Sequence, residues 1–117
     1  MTQHVTVPHA NYFNTFTVIT TVDSNTVVVP AKDGYQIFIT DLIIVTTQAA
    51  AIGSFTITDD DGTALLGPIP LISNTPFIAH FQTPLVNETQ NNQVEMDKTA
   101  AEDDWKIWVA GYYKPST

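Results

Sequence analysis

Asp59-Asp60-Asp61-Gly62 is the most conspicuous group of side chains that could bind a metal ion. The chemistry to test is a calcium loop, in which oxygen ligands alternate, glycine stands sixth and glutamate twelfth. With Gly62 in the sixth place, Ile57 stands first and Pro68 twelfth, and neither side chain can ligate. The same four residues suit a hairpin turn, where aspartate accepts backbone hydrogen bonds and glycine takes positive φ. The turn is the reading adopted; a calcium site that also draws on Glu102-Asp103-Asp104 is the alternative. The histidines His4, His9 and His80 have none of the compact spacings of a metal centre. No metal and no other cofactor is expected.

Covalent catalysis needs a nucleophile beside a base. The serines Ser24, Ser54, Ser73 and Ser116 lie outside any G-x-S-x-G context, and cysteine is absent. No glycine-rich phosphate loop is present. A carboxylate pair for glycoside cleavage is an open alternative, but most of the acids sit at expected turns, where acids are ordinarily solvated. The chain is read as a non-enzyme. Asn87-Glu88-Thr89 matches the glycosylation acceptor pattern and is given no weight, because chance supplies about one such match in a chain so rich in Asn and Thr.

Charge excludes further classes. There are 12 acidic and 4 basic residues, the basic ones all lysine, for a net charge of −8. Without arginine there is no bidentate phosphate fork. The negative balance repels nucleic acid and anionic membrane alike, so neither is an expected partner. No apolar run approaches the ~20 residues that span a bilayer. The start, M-T-Q-H-V-T-V-P-H, has neither the basic nor the apolar region of a signal peptide.

What remains is surface chemistry, and its candidates are aromatic. In W-K-I-W-V-A-G-Y-Y, Ile107 and Val109 facing a core would leave Trp108 and Tyr112 facing out. Exposed large aromatics mark an interface or a ligand platform. The alternative is a sheet edge covered by the N-terminal arm.

The elements that would position these residues read as strands. Thr, Val, Ile and aromatic residues abound, good helix formers are scarce, and one helical turn is expected at Thr99–Asp104. Strand signals cover Tyr12–Val22, Thr26–Val29, Tyr35–Thr47, Ser54–Asp59, Ala64–Ile72, Phe77–Gln82, Gln93–Asp97 and Trp105–Tyr113. Pro68 and Pro70 confine their strand to an edge or a bulge. Tyr35–Thr47 is apolar on both faces, with a slip at Thr40-Asp41. It is therefore central, covered by a neighbour, or bulged. Pro84 to Asn92 reads as a polar loop, and Glu95 and Asp97 as outward. Residues 1–11 read as an arm or edge strand, and 12–117 as one all-β domain. An antiparallel β-sandwich, jelly-roll-like with about eight strands, is the expected fold; an immunoglobulin-like sandwich is second.

The order V-V-V-P-A-K-D-G-Y-Q-I-F-I-T-D-L, A-I-G-S-F-T-I-T-D-D-D-G-T, I-P-L-I-S-N-T-P-F-I-A-H-F, V-E-M-D and W-K-I-W-V-A-G-Y-Y resembles small β-sandwich virion proteins of tailed bacteriophages, above all head decoration (cement) proteins. The resemblance spans Val27 to Tyr113 and is one of strands and turns, without an invariant motif. It implies a protein on the outer surface of the capsid, binding the major capsid protein and itself, commonly as a homotrimer. The surfaces expected to serve are the arm, with Val5, Val7 and His9, and the pair Trp108 and Tyr112. A carbohydrate- or receptor-binding module of a phage fibre or tail is the rival expectation.

Overall fold

The computed structural model of the chain describes residues 11–19, 26–46, 53–71, 75–87, 91–98 and 105–115. Val5, Val7, His4, His9 and the expected helical turn at Thr99–Asp104 lie outside them. Among the described residues eight strands are present: β1 (Tyr12–Ile19), β2 (Thr26–Val29), β3 (Tyr35–Thr46), β4 (Ser54–Asp59), β5 (Ala64–Pro70), β6 (Phe77–Val86), β7 (Val94–Lys98) and β8 (Trp105–Pro115).

They form two antiparallel sheets of four strands, ordered β1-β8-β3-β6 and β2-β7-β4-β5. The chain thus pairs first strand with last, second with seventh, third with sixth and fourth with fifth. A long hairpin rolled in this way into two sheets is a jelly roll. The alternation of each strand then decides the core. Ile37, Ile39, Leu42 and Ile44 of β3 and Trp105, Ile107 and Val109 of β8 point inward. Phe55 and Ile57 of β4 and Val94 and Met96 of β7 complete the same buried cluster.

The two apolar phases of β3 are reconciled by a bulge. Ile37 and Ile39 are odd-numbered and Leu42 and Ile44 even-numbered, yet all four are fully buried. The ladder to β8 passes from Ile39↔Gly111 to Asp41↔Ala110, so Thr40 is the extra residue. Its hydroxyl donates to Asp41 Oδ2 at 2.8 Å, with the Ala110 carbonyl at 3.3 Å. β3 is also an interior strand, between β8 and β6.

Three expectations need correction. The polar loop expected from Pro84 begins later, because β6 runs to Val86. Proline is tolerated there because β6 is a sheet edge. Phe81, Gln82, Thr83 and Pro84 together face Thr40 where the register slips. Glu95, expected outward, is only 7% exposed and accepts a hydrogen bond from Gln93 Nε2 at 2.6 Å. The last strand is not a sandwich edge: β8 lies between β1 and β3, and among the described strands β1 is the edge.

Candidate functional site

The outer face of the sheet β1-β8-β3-β6 is assembled by register. Residues directly opposite on neighbouring strands point to the same side, so the pairings lay side chains in rows across the sheet. One row is Tyr12, Tyr112 and Phe38; the next is Asn14, Ala110, Asp41 and His80; the third is Phe16, Trp108, Ile43 and Ile78. Val18, Lys106 and Val45 form a fourth.

The outer two of the first three rows are bulky. Phe38 stacks on Tyr112 with ring centres 5.1 Å apart and planes 9° from parallel, and Tyr12 meets Tyr112 edge-on at 6.3 Å. Phe16 packs on Trp108 at 4.8 Å. Tyr12 and Phe16 are each 52% exposed, Ile78 69% and Trp108 37%. The row between them is small and polar, which leaves a depression of about 400 Å³ lined by Asn14, Asp41, Ile43, Trp108 and Ala110. At its rim His80 Nδ1 lies 2.8 Å from Asp41 Oδ1. That hydrogen bond, and after it the one from Thr40, holds the Asp41 carboxyl below its usual pKa range.

The electrostatics of this face differ from those of the molecule. Among the described residues of these four strands the charged side chains are Lys106, Lys114 and Asp41. In a chain of net charge −8 the face is therefore locally free of acidic excess.

The other candidates disperse. Asp59 is fully buried at the β4–β5 turn, where Oδ1 accepts the backbone N–H of Asp61 at 2.9 Å and of Thr63 at 3.1 Å. The acidic run is thus an Asx-type turn with Gly62 at φ 85°. Asn92 Nδ2 donates to Asp61 Oδ2 at 3.0 Å. Among the described residues no group of three metal-binding side chains converges. Asn87 is fully buried; its Oδ1 accepts from Ile37 N at 2.8 Å and its Nδ2 donates to Asn92 O at 2.9 Å. Both ends of its amide are committed to structure, which removes it as a glycosylation acceptor.

The G-Y-Y segment divides into three tasks. Gly111 is buried against β3, Tyr112 belongs to the outer rows, and Tyr113 packs on Phe13 at 5.1 Å. The Tyr113 hydroxyl donates to Pro30 O at 2.8 Å, and burial pushes its pKa up. Of the two aromatics singled out in the sequence, Trp108 is exposed and Tyr112 half-buried, and both lie on the outer face. Sequence reasoning missed Tyr12, Phe16, Phe38, Ile43 and Ile78 as their neighbours. The alternation of Tyr12, Asn14, Phe16 and Val18 was a visible signal, but both phases of β1 contain aromatics.

Fold and face together define an all-β jelly-roll module with one broad aromatic sheet surface. No protein-family model matches the chain, and no curated protein matches it closely enough to count as a relative.

Proposed function

We propose that the protein is a structural virion protein, a decoration or cement protein that binds the outside of a phage head and bridges capsid subunits. The observation that carries the reading is the outer face of β1-β8-β3-β6, with its two aromatic rows. An apolar face of this breadth fits a protein partner, because aromatic side chains supply much of the energy of protein interfaces. The freedom of this face from acidic excess supports contact there, while the acidic remainder keeps the particle surface soluble. Trp108 and Tyr112 belong to the contact, and the segment holding Val5, Val7 and His9 is a second one. Many modest contacts repeated over a symmetric shell add up through multivalency.

Immunogold labelling of virions from cells carrying the gene tests the reading. Gold over the heads is the expected result; gold on tails alone, or unlabelled particles, overturns it. A second reading rests on the depression beside Trp108. Its polar Asn14 and Asp41 next to an indole suit a sugar ring, which would make the protein a carbohydrate-binding module. Saturable glycan binding without head binding would select that reading.

A further inference from the structure

Among the described residues the two sheets have four edge strands, β1 and β6 in one and β2 and β5 in the other. An edge strand exposes unpaired backbone donors and acceptors that template another chain, and proteins blunt such edges with proline, bulges, charge or brevity. Three of the four edges here are blunted. β5 carries Pro68 and Pro70, holds Gly67 at φ 102°, and slips register against β4 twice. β6 carries Pro84 and bulges opposite Thr40. β2 has 4 residues, shifts register between Val27 and Val29, and runs into Pro30. One of its carbonyls, that of Val28, is already taken by the Thr15 hydroxyl at 2.7 Å.

β1 has none of these devices. Its 8 residues, Y-F-N-T-F-T-V-I, include no proline, no glycine and no charged side chain. It keeps one unbroken register against β8, from Tyr12↔Tyr112 to Ile19↔Trp105. High β-propensity, no charge and a straight ladder are the marks of an edge that accepts another strand.

We infer that β1 docks antiparallel against β1 of a second copy, joining two sheets into one of eight strands in the order 6-3-8-1-1-8-3-6. The occupant follows from the edges themselves. A head-to-tail contact would need a second receptive edge, and the other three are blunted. Self-pairing is the contact left, and a self-complementary contact closes at two. Charge favours the same partner, since an uncharged strand brings together two molecules of net charge −8 without opposing like charges. The outer rows then continue across the junction, and the exposed rings of Tyr12 and Phe16 gain neighbours on the copy. Even-numbered residues of β1 face even-numbered ones, because both outer faces lie on one side of the joined sheet. The inference rests on the fold rather than on the capsid role, and it selects a twofold in place of the homotrimer that the resemblance implies.

The test uses the full chain, which contains no cysteine, so single labelling sites are unambiguous. Light scattering from micromolar to millimolar concentration should show a dimer. Spin labels on Asn14→Cys should lie close together across the junction. Labels on Ile78→Cys, seven strand spacings apart, should lie at ~34 Å before the reach of the label is added. Asn14→Lys, which brings two lysines to the junction, should weaken the dimer by ~10-fold or more, whereas Ile78→Lys on the far edge should leave it unchanged. A monomer throughout overturns the inference. So does a trimer, Ile78 labels as close as those on Asn14, or an Asn14→Lys dimer of undiminished strength.

Discussion

Gly111 sits where two strands approach too closely for any side chain. A Cβ there would run into the Phe38 carbonyl oxygen, with Ile39 Cα and Phe13 Cζ each 3.0 Å away. The first two are backbone, so nothing flexible can yield. Gly111→Ala should therefore cost roughly 3 kcal/mol, the upper end of ordinary overpacking, read as a lower urea midpoint at unchanged m-value. Asp41 makes a different prediction at the same scale. Its carboxyl is held below the ordinary 3.8 by the His80 ring first and the Thr40 hydroxyl second. A depressed folded-state pKa contributes stability above the unfolded-state value and loses it as pH falls through the folded one. Asp41→Asn should remove that contribution, so the stability of the two proteins should converge as pH drops below about 4. Urea titrations at neutral and strongly acidic pH check this; a difference that grows on acidification would refute the assignment.

At the scale of elements, the bulge in β3 joins sequence to fold. Deleting Thr40, the extra residue, would leave Ile37, Ile39, Leu42 and Ile44 in one regular alternation, all still inward. Deleting Asp41 with it would put Ile37 and Ile39 out of phase with Leu42 and Ile44, turning one pair outward. Exposing two fully buried aliphatic side chains costs roughly 5 kcal/mol, comparable with the whole stability of a domain this size. The double deletion should lose cooperative unfolding and amide dispersion in its NMR spectrum, and the single deletion of Thr40 should keep both. This slip was legible in the sequence, because the change of phase at Asp41 is local and β-strands alternate strictly. The prolines of β5 were legible for the same kind of reason. The end of β6 was not, since whether Pro84 stops a strand depends on its place at an edge, which a single strand cannot report. Nor were the rows of the outer face: that Phe16 lies beside Trp108, and Trp108 beside Ile43, follows from register between strands far apart in the chain. Glu95 was misread because alternation gives the side of a sheet and not what covers it.

For the whole molecule, the balance to decide is between the charge of −8, which pushes copies apart, and the apolar face and uncharged edge proposed to hold them. Salt separates the two. The Debye length falls from ~10 Å at 0.1 M to ~3 Å at 1 M, which removes repulsion between like-charged molecules, while apolar contact does not weaken. If association ran through Lys106 and Lys114 meeting carboxylates, salt would loosen it. If it runs through the aromatic rows and β1, salt should tighten it, most of all a strongly excluded salt such as sulfate. Phe16→Ser with Trp108→Ser sharpens the contrast. Both rings stand partly in solvent and touch each other at 4.8 Å, so the double variant should stay folded and lose only ~1–2 kcal/mol of stability. On the proposed capsid role, its binding to phage heads should fall by ~10–100-fold, as expected when two central aromatics leave an interface. Cosedimentation with heads at low and high salt measures both effects; a wild-type affinity that drops with salt would move the contact from the rings to the lysines.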